Sequence, residues 1–89
     1  MNSEKFMLIA KDMVKRYEIE NNSNAIVKYG KPEPYIVWFC YELGHMKALL
    51  STQLPNNMYY EITYNSAKDQ IYFDAYTKVE NIAYNATVE

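Results

Sequence analysis

The sequence predicts an α+β fold in which one N-terminal helix packs on a four-stranded antiparallel β-meander. An apolar stripe with helical spacing runs through residues 3–20. Four runs rich in aromatic and β-branched residues, each of strand length, follow between residues 35 and 77. Short polar breaks containing Gly, Pro, Asn or Asp separate these runs, which is typical of strands joined in sequence order by hairpins.

The length and composition predict a single globular domain. The chain has 89 residues, 49% hydrophobic and 22% charged, which suits one small core and not a disordered protein. Cys40 is the only cysteine, so no disulfide forms within the chain and a reducing compartment suits it. No apolar run approaches the roughly 20 residues of a membrane span, and the N-terminal residues lack the features of a signal peptide. We therefore expect a cytoplasmic protein with no membrane contact.

Residues 3–20 are predicted to form the helix. Ser3 is a suitable N-cap, and Glu4 lies in the first turn, where the helix dipole favours an acidic side chain. Charged residues, Glu18 among them, fill the rest of the helix surface and are expected to face solvent. A helix of this length is marginal alone, so its apolar stripe must pack on the sheet. The stripe consists of Phe6, Ile9, Ala10, Met13 and Tyr17, with Val14 beside them.

Two segments flank the sheet. Residues 21–34 are predicted to be a loop, because Asn and Ser residues end the helix and Gly30, Pro32 and Pro34 interrupt regular structure. Within this loop, residues 25–29 fit either a short strand or a turn of helix. Residues 78–89 are predicted to be a C-terminal tail that extends the last strand, closes one edge of the sheet or frays.

The last hairpin allows a prediction of strand register, because side chains alternate between the two faces of a sheet. If residues 66–69 form its turn, Asn65 lies opposite Gln70 and Ile62 lies opposite Phe73. The more apolar of the two resulting faces is expected to lie under the helix. That face has Tyr60, Ile62, Tyr64, Ile71, Phe73 and Ala75.

The two earlier turns decide which residues of the first strands enter the core. With a three-residue turn at residues 55–57, Leu50 lies opposite Ile62. With a three-residue turn at residues 43–45, Trp38 lies opposite Leu50. The predicted core beneath the helix is then Ile36, Trp38, Cys40, Ala48, Leu50, Ile62 and Phe73.

A two-residue turn at Gly44 and His45 is the alternative for the first hairpin. It would exchange the two faces of the first strand, because a shift of one residue moves every side chain to the other face. Phe39 and Tyr41 would then lie inside, and Trp38 would lie outside.

The sheet face away from the helix is predicted to bind a partner, because one helix can cover only one face. In the first register this face would expose more aromatic residues together than a soluble monomer usually does. Tyrosine suits such a face, since its ring adds contact area while its hydroxyl tolerates water. A two-fold homodimer is one expected use of it, and ordinary strand propensity is the alternative explanation of the tyrosines. The predicted interface residues are Phe39, Tyr41, Leu49, Tyr59, Tyr72 and Tyr76.

No catalytic, cofactor or metal site is recognisable in the sequence. Cys40 is expected to be buried and His45 to lie in a turn, which together oppose a Cys–His catalytic pair. One histidine and one cysteine are too few for a zinc site. Gly30 and Gly44 are too far apart for a phosphate-binding loop. We therefore expect a protein that is not an enzyme and uses no cofactor, with a small hydrolase as the last alternative.

The charge pattern argues against nucleic acid as the partner. The net charge is −2 and acids and bases are interspersed, so there is no concentrated basic surface for phosphates. Glu61 and Asp74 are expected to face each other across the last two strands without a pocket around them. Aromatic residues near lysines can nevertheless stack bases, so a single-stranded nucleic-acid-binding module is the main alternative to a protein-binding one.

Four short motifs of the sheet carry a family resemblance: Trp38 with Cys40, residues 47–52, residues 59–65, and Asp74 with Tyr76. Together they resemble a family of small proteins of unknown function encoded by phages and prophages of Firmicutes. The similarity is loose over the helix and closer over residues 35–82. It implies no catalytic residue. It implies a phage accessory protein in the cytoplasm of a bacterial host, and by analogy one that binds a host protein, such as part of the host-defence machinery.

Overall fold

A computed structural model of the protein describes residues 1–87 and contains two helices followed by four strands. The strands form one antiparallel sheet in the order β1-β2-β3-β4, and the first helix packs on one face of it. The predicted α+β fold, a helix on a four-stranded meander, is confirmed. The elements are α1 (Ser3–Asn21), α2 (Ser23–Tyr29), β1 (Tyr35–Glu42), β2 (His45–Ser51), β3 (Met58–Asn65) and β4 (Gln70–Thr77).

The N-cap of helix α1 lies one residue earlier in the chain than predicted. Asn2, not Ser3, is the N-cap, and its side-chain oxygen accepts a hydrogen bond from the backbone N–H of Lys5 at 2.7 Å. The helix packs mainly on β2 and also on β1 and β3. Its fully buried stripe is Phe6, Ala10, Val14 and, against expectation, Glu18.

The predicted loop at residues 21–34 contains the short helix α2, so of the two alternatives for residues 25–29 the helical one is correct. Gly30 ends α2 with a φ of 89°, a conformation that glycine adopts without strain. The segment that follows is held by Gln53, whose side chain donates to the carbonyl of Lys31 and accepts from the N–H of Glu33, both at 2.7 Å.

The register predicted for the last hairpin is confirmed. Asn65 lies opposite Gln70, and Ile62 lies opposite Phe73. The turn at residues 66–69 is short and polar, and the Asn65 side chain accepts hydrogen bonds from the backbone N–H groups of Ala67 and Lys68. Local turn chemistry therefore specifies this pairing.

The register between β2 and β3 differs from the prediction by two residues. Leu50 lies opposite Tyr60, not Ile62, because the connection runs over residues 52–57 instead of forming a three-residue turn. Side chains inside this loop satisfy its backbone: Thr52 accepts from the N–H of Leu54, and Asn56 accepts from the N–H of Met58. A shift of two residues keeps every side chain on its face, so the predicted faces of β2 and β3 are retained.

The first hairpin contradicts the preferred prediction. Its turn has two residues, Leu43 and Gly44, both with positive φ, and Phe39 lies opposite Ala48 on the helix face. Trp38 lies opposite Leu49 on the other face, so placing Trp38 and Cys40 in the core was wrong. Phe39 and Tyr41 lie on the helix face and Trp38 on the other, as the alternative register predicted. That register placed the two turn residues one position too late, at Gly44 and His45.

A β-bulge in β1 keeps Ile36 under the helix although Trp38 is outside. The register shifts between Ile36 and Trp38, so Val37 is the extra residue, and Ile36 remains opposite Leu50. Ile36 and Phe39 therefore both pack against the core. The fully buried core residues are Phe6, Ala10, Val14, Met46, Ala48, Leu50, Tyr60, Ile62 and Tyr64.

The chain after β4 leaves the sheet. Residues 78–87 form neither helix nor strand, and the N–H of Lys78 donates to the carbonyl of Asn57 at 2.7 Å. Val79 and Ile82 are exposed. Residues 88 and 89, the end of the predicted tail, lie outside the described residues.

Candidate binding face

The face of the sheet away from α1, called the open face below, contains a row of four residues at its centre. Trp38 lies opposite Leu49, Leu49 opposite Glu61, and Glu61 opposite Asp74. Their sequence neighbours Ala48 and Ile62 are buried under the helix, so alternation places the row on the opposite side. Neither α1 nor α2 packs over this row, and its four residues are half-buried or exposed.

The open face has aromatic residues on both sides of the central row. Beyond the central row, Tyr59 lies opposite Tyr76 towards one end, and Tyr72 lies opposite Thr63 towards the other. Trp38 and Tyr72 are each 41% exposed and Tyr76 is 51% exposed, so their rings remain available for contact. We call Trp38, Leu49, Tyr59, Tyr72 and Tyr76 the aromatic patch.

The charges on the open face are mostly acidic. The Nζ of Lys47 lies 3.4 Å from Oε1 of Glu61, which pairs one carboxylate with the one lysine of the face. Asp74, opposite Glu61, forms no ion pair within residues 1–87. Alternation also places Glu42, opposite His45 at the end of β1, on this face, so three carboxylates against one ammonium group make the open face negative, which opposes contact with phosphates.

Four of the six predicted interface residues lie on the open face: Leu49, Tyr59, Tyr72 and Tyr76. Phe39 does not, because it packs in the core with its ring centroid 6.0 Å from that of Phe6. Tyr41 lies opposite the buried Met46, on the helix face, near the end of β1. Trp38 lies on the open face instead. Gly44, which suits the second position of a two-residue turn, was the sequence feature that could have predicted this.

Cys40 and His45 do not form a pair. Cys40 lies opposite Lys47 and is exposed, so the prediction that its thiol is buried was wrong. The Nδ1 of His45 accepts a hydrogen bond from the backbone N–H of Ser66 at 3.1 Å, which ties the ring to the β3–β4 turn. Within residues 1–87 no hydrogen bond joins the two side chains, and no group of three or more His, Cys, Asp or Glu residues is placed to hold a metal ion.

A second cluster, absent from the sequence prediction, surrounds Glu18 on the helix face. The Tyr60 hydroxyl donates to Oε1 of Glu18 at 2.5 Å, and the Asn56 amide donates to both carboxylate oxygens at 2.8 and 2.9 Å. The Asn22 amide donates to Oε2 at 3.1 Å. Glu18 is only 1% exposed. Apolar neighbours at its helical spacing, Val14 and Ala10, were a signal that this position faces the sheet.

The Glu18 cluster is organised for stability. Every hydrogen-bonding site on the carboxylate has a neutral donor, so the buried charge is satisfied without a cation. Burial, and then the hydrogen bond and charge of Glu18, raise the pKa of Tyr60 well above its usual range, so the phenol remains a donor. The cleft beside the cluster, about 250 Å³, is lined by Tyr17, Glu18, Asn21, Asn22, Asn56, Met58 and Tyr60. These groups include no activated nucleophile.

Comparison with known proteins gives one family match and one short local similarity. The model of a family of unknown function, DUF6275, matches residues 7–86. A glutathione S-transferase C-terminal domain-containing protein homolog of Drosophila melanogaster is 45% identical over 42 residues, which cover 47% of this chain and 7% of that protein. The chain thus spans a small fraction of that relative. No solved structure matches the chain. Neither of the two helices in the described part is long and apolar enough to cross a membrane.

Proposed function

The chain belongs to DUF6275, a family of unknown function, and we propose that it is a non-enzymatic interaction protein that binds a partner protein through the open face of its sheet. The observation that supports this proposal is the aromatic patch, in which one tryptophan, three tyrosines and one leucine lie on the sheet face opposite to the one on which α1 packs. Tryptophan and tyrosine are enriched where proteins bind one another, because they add large contact areas with few rotatable bonds.

The chemistry of the open face defines the partner that it suits. Asp74 and the partly neutralised Glu61 favour a surface with arginine or lysine, and the rings around them can stack on a guanidinium group or pack on aliphatic side chains. A protein surface that combines basic and apolar residues satisfies both requirements. The resemblance to small phage and prophage proteins makes a bacterial host protein, in the host cytoplasm, the partner that we propose.

A single-stranded nucleic acid is the competing partner, since exposed Trp38, Tyr72 and Tyr76 could stack on bases. The acidic surroundings weigh against it, because Asp74 and Glu61 would repel the phosphate backbone that supplies most of such binding. The two partners respond oppositely to charge. Asp74→Lys should strengthen oligonucleotide binding and weaken binding of a basic protein surface.

The experiment that tests the proposal is affinity capture from a lysate of a Firmicutes bacterium, with and without nuclease, followed by mass spectrometry. The wild-type chain is compared with Tyr76→Glu, on the open face, and with Tyr84→Glu, a matched change at an exposed tyrosine of the tail. We expect one protein to be retained by the wild type and by Tyr84→Glu and to be lost with Tyr76→Glu. Retention by all three chains, or loss of the captured material on nuclease treatment, would contradict the proposal.

Trp38 provides a direct readout of the same surface. It is the only tryptophan of the chain and lies on the open face, so its fluorescence reports on occupation of the aromatic patch. Titration with the captured protein, or a tryptophan-free fragment of it, should change the emission maximum or intensity of Trp38. Binding that leaves the emission unchanged would place the contact elsewhere on the molecule.

A further inference from the structure

The two edges of the sheet differ in how they are protected. On the β1 edge, Pro34 precedes the strand and the bulge at Val37 breaks its regularity, both of which hinder pairing with another strand. The β4 edge, Gln70–Thr77, has no proline, no glycine and no bulge, and its register to β3 is regular throughout. Its outer N–H and C=O groups form a template eight residues long.

The helix-side surface of β4 is also incompletely covered. Helix α1 packs on β1, β2 and β3, so Phe73 is covered on one side only, where it contacts Tyr17 and Tyr60 with ring centroids 5.2 and 5.6 Å away. An apolar cleft of about 230 Å³ also borders Phe73 between α1 and β4, lined by Met13, Arg16, Tyr17, Glu20 and Phe73. Ala75, two residues further along the same face, is exposed.

We propose that β4 pairs antiparallel with β4 of a second copy of this chain. The two-fold axis lies between the two copies of Phe73, and the two four-stranded sheets join into a single eight-stranded sheet. Such an arrangement satisfies the free backbone groups of both edges and brings the two partly buried Phe73 rings together. This inference goes beyond the proposed function and does not depend on it, because the contact is made by backbone groups of the β4 edge, although Tyr72 and Tyr76 of the aromatic patch lie on the same strand.

The side chains of β4 select this register. In an antiparallel pair, residues directly opposite each other lie on the same face. A two-fold axis that relates two such strands therefore lies midway between the two copies of one residue. With the axis at Phe73, Tyr72, whose hydroxyl donates to Oε1 of Gln70 in its own chain at 2.8 Å, lies opposite Asp74 of the second copy, so that carboxylate meets no like charge. On the helix side, Ile71 lies opposite Ala75, and two apolar groups meet.

The neighbouring register is disfavoured by charge. With the axis at Asp74, the two Asp74 carboxylates would lie directly opposite each other, and like charges at such positions are destabilising. Lys68 lies in the turn before β4 and Lys78 in the tail after it, so both lie outside the paired segment. A dimer through the open face has less support, because two of the six predicted interface residues, Phe39 and Tyr41, lie on the helix side.

Sedimentation velocity of the untagged chain over a range of micromolar concentrations tests the proposal. We expect a dimer for the wild type and for Val37→Lys, which puts the same charge on the opposite edge strand. Ala75→Lys should weaken the dimer by at least about tenfold, since each dimer would bury two copies of the new charge. Ala75 is exposed in the single chain, so the variant should remain folded by circular dichroism. A monomeric wild type, or equal dissociation constants for the two lysine variants, would overturn the proposal.

Disulfide trapping tests the register in a Cys40→Ser background. Directly opposite residues in a sheet lie within the Cα distance range of disulfides. Tyr72→Cys combined with Asp74→Cys should therefore form a covalent dimer with oxidised glutathione, while each single change should trap much less. Efficient trapping by Asp74→Cys alone would overturn the register, and no trapping by the double variant would overturn the strand pairing itself.

Discussion

Glu18 is the side chain whose environment departs most from what its type suggests. A glutamate on a helix normally faces water, yet here its carboxylate lies under the helix and accepts hydrogen bonds from Tyr60, Asn56 and Asn22. Asn56 belongs to the β2–β3 loop and Tyr60 to β3, so one carboxylate joins the end of α1 to both. Glu18 thus follows the apolar stripe of α1 on the same side of the helix, and its hydrogen bonds hold the C-terminal end of α1 against β3 and the β2–β3 loop.

Glu18→Gln should lower the free energy of unfolding by about 1.5–3 kcal/mol, because an amide offers only one acceptor atom to donors that now bond two. The matched control is Glu20→Gln, an exposed carboxylate in the same turn of the helix, which should change stability by less than about 0.5 kcal/mol. Urea denaturation measures both. Equal effects of the two substitutions would show that the buried hydrogen bonds contribute nothing measurable.

Stability should decline at alkaline pH because of Tyr60. Burial raises the pKa of its phenol, as do the hydrogen bond to Glu18 and the Glu18 charge. The pKa in the folded state therefore exceeds the unfolded value of about 10. The contribution of the neutral Tyr60 phenol to the free energy of unfolding is complete below that pH and is lost as the pH rises above it. The hydrogen bond to Asp69 also raises the pKa of Tyr64. Melting temperatures measured across this range should fall less steeply for Tyr60→Phe, and a slope unchanged from wild type would contradict the assignment.

Truncation of Trp38 and of Phe39 should destabilise the protein to different extents. Trp38→Ala should cost less than about 1 kcal/mol of unfolding free energy, because its side chain is 41% exposed on the open face. Phe39→Ala should cost about 2–4 kcal/mol, because its ring packs on Phe6 beneath the helix. Denaturant midpoints of the two variants compare the sites directly. A larger loss for Trp38→Ala would favour the register in which Trp38 lies in the core.

Among the elements, the turn between β1 and β2 has the greatest influence on the surface of the protein. Leu43 and Gly44 have φ values of 50° and 84°, so both central residues of the turn are left-handed. Glycine adopts this conformation freely, whereas leucine is strained in it, and Leu43 is exposed and gains no burial in return. A two-residue turn of this type is normally formed by Asn-Gly.

Leu43→Asn should therefore raise the free energy of unfolding by about 1 kcal/mol, since asparagine tolerates positive φ far better than leucine. Gly44→Ala is the opposing test. It should destabilise, because a Cβ at this position would also lie 3.1 Å from Oγ of Ser66. Thermal denaturation followed at the strand band of the circular dichroism spectrum measures both changes. Stabilisation by Gly44→Ala would mean that this turn adopts a different conformation.

Across the complete fold, stability comes from one layer of helix on one layer of sheet. Apart from Pro32, which lies between α2 and β1, the buried residues belong to α1, β2, β3 and the β2–β3 loop, while the edge strands and the tail have partly buried or exposed residues. This arrangement leaves the open face and the β4 edge available without weakening the core. The two proposed contacts adjoin at β4, where Tyr72 and Tyr76 of the aromatic patch lie on the strand whose backbone edge would pair with a second copy.

Removal of residues 79–89 should leave the stability of the domain within about 0.5 kcal/mol of the intact chain. Residues 79–87 are exposed and form neither helix nor strand, and the one backbone hydrogen bond of this region, from Lys78 to Asn57, is retained. Differential scanning calorimetry of the shortened chain makes the comparison. A clear fall in melting temperature would show that the tail packs on the domain in solution.

The sequence by itself determined the features that arise from local patterns. The apolar stripe of α1, the number and order of strands and the register of the last hairpin all follow from spacing and turn residues within a few positions of one another. The polar turn after Asn65 specified its pairing. For the candidate binding face, the sequence placed Leu49, Tyr59, Tyr72 and Tyr76 correctly on the side away from the helix, because two-residue errors in register do not move a side chain to the other face.

Only the tertiary structure decided which face Trp38 and Phe39 occupy and that Glu18 is buried. In β1 both faces are aromatic, so a turn of two or three residues leaves an equally apolar core, and the pattern cannot select between them. The bulge at Val37 then lets Ile36 and Phe39 share one face, which no regular alternation allows. Glu18 is buried because Tyr60 and Asn56, about 40 residues away in the chain, supply its donors, and such long-range partners exist only once the sheet has formed.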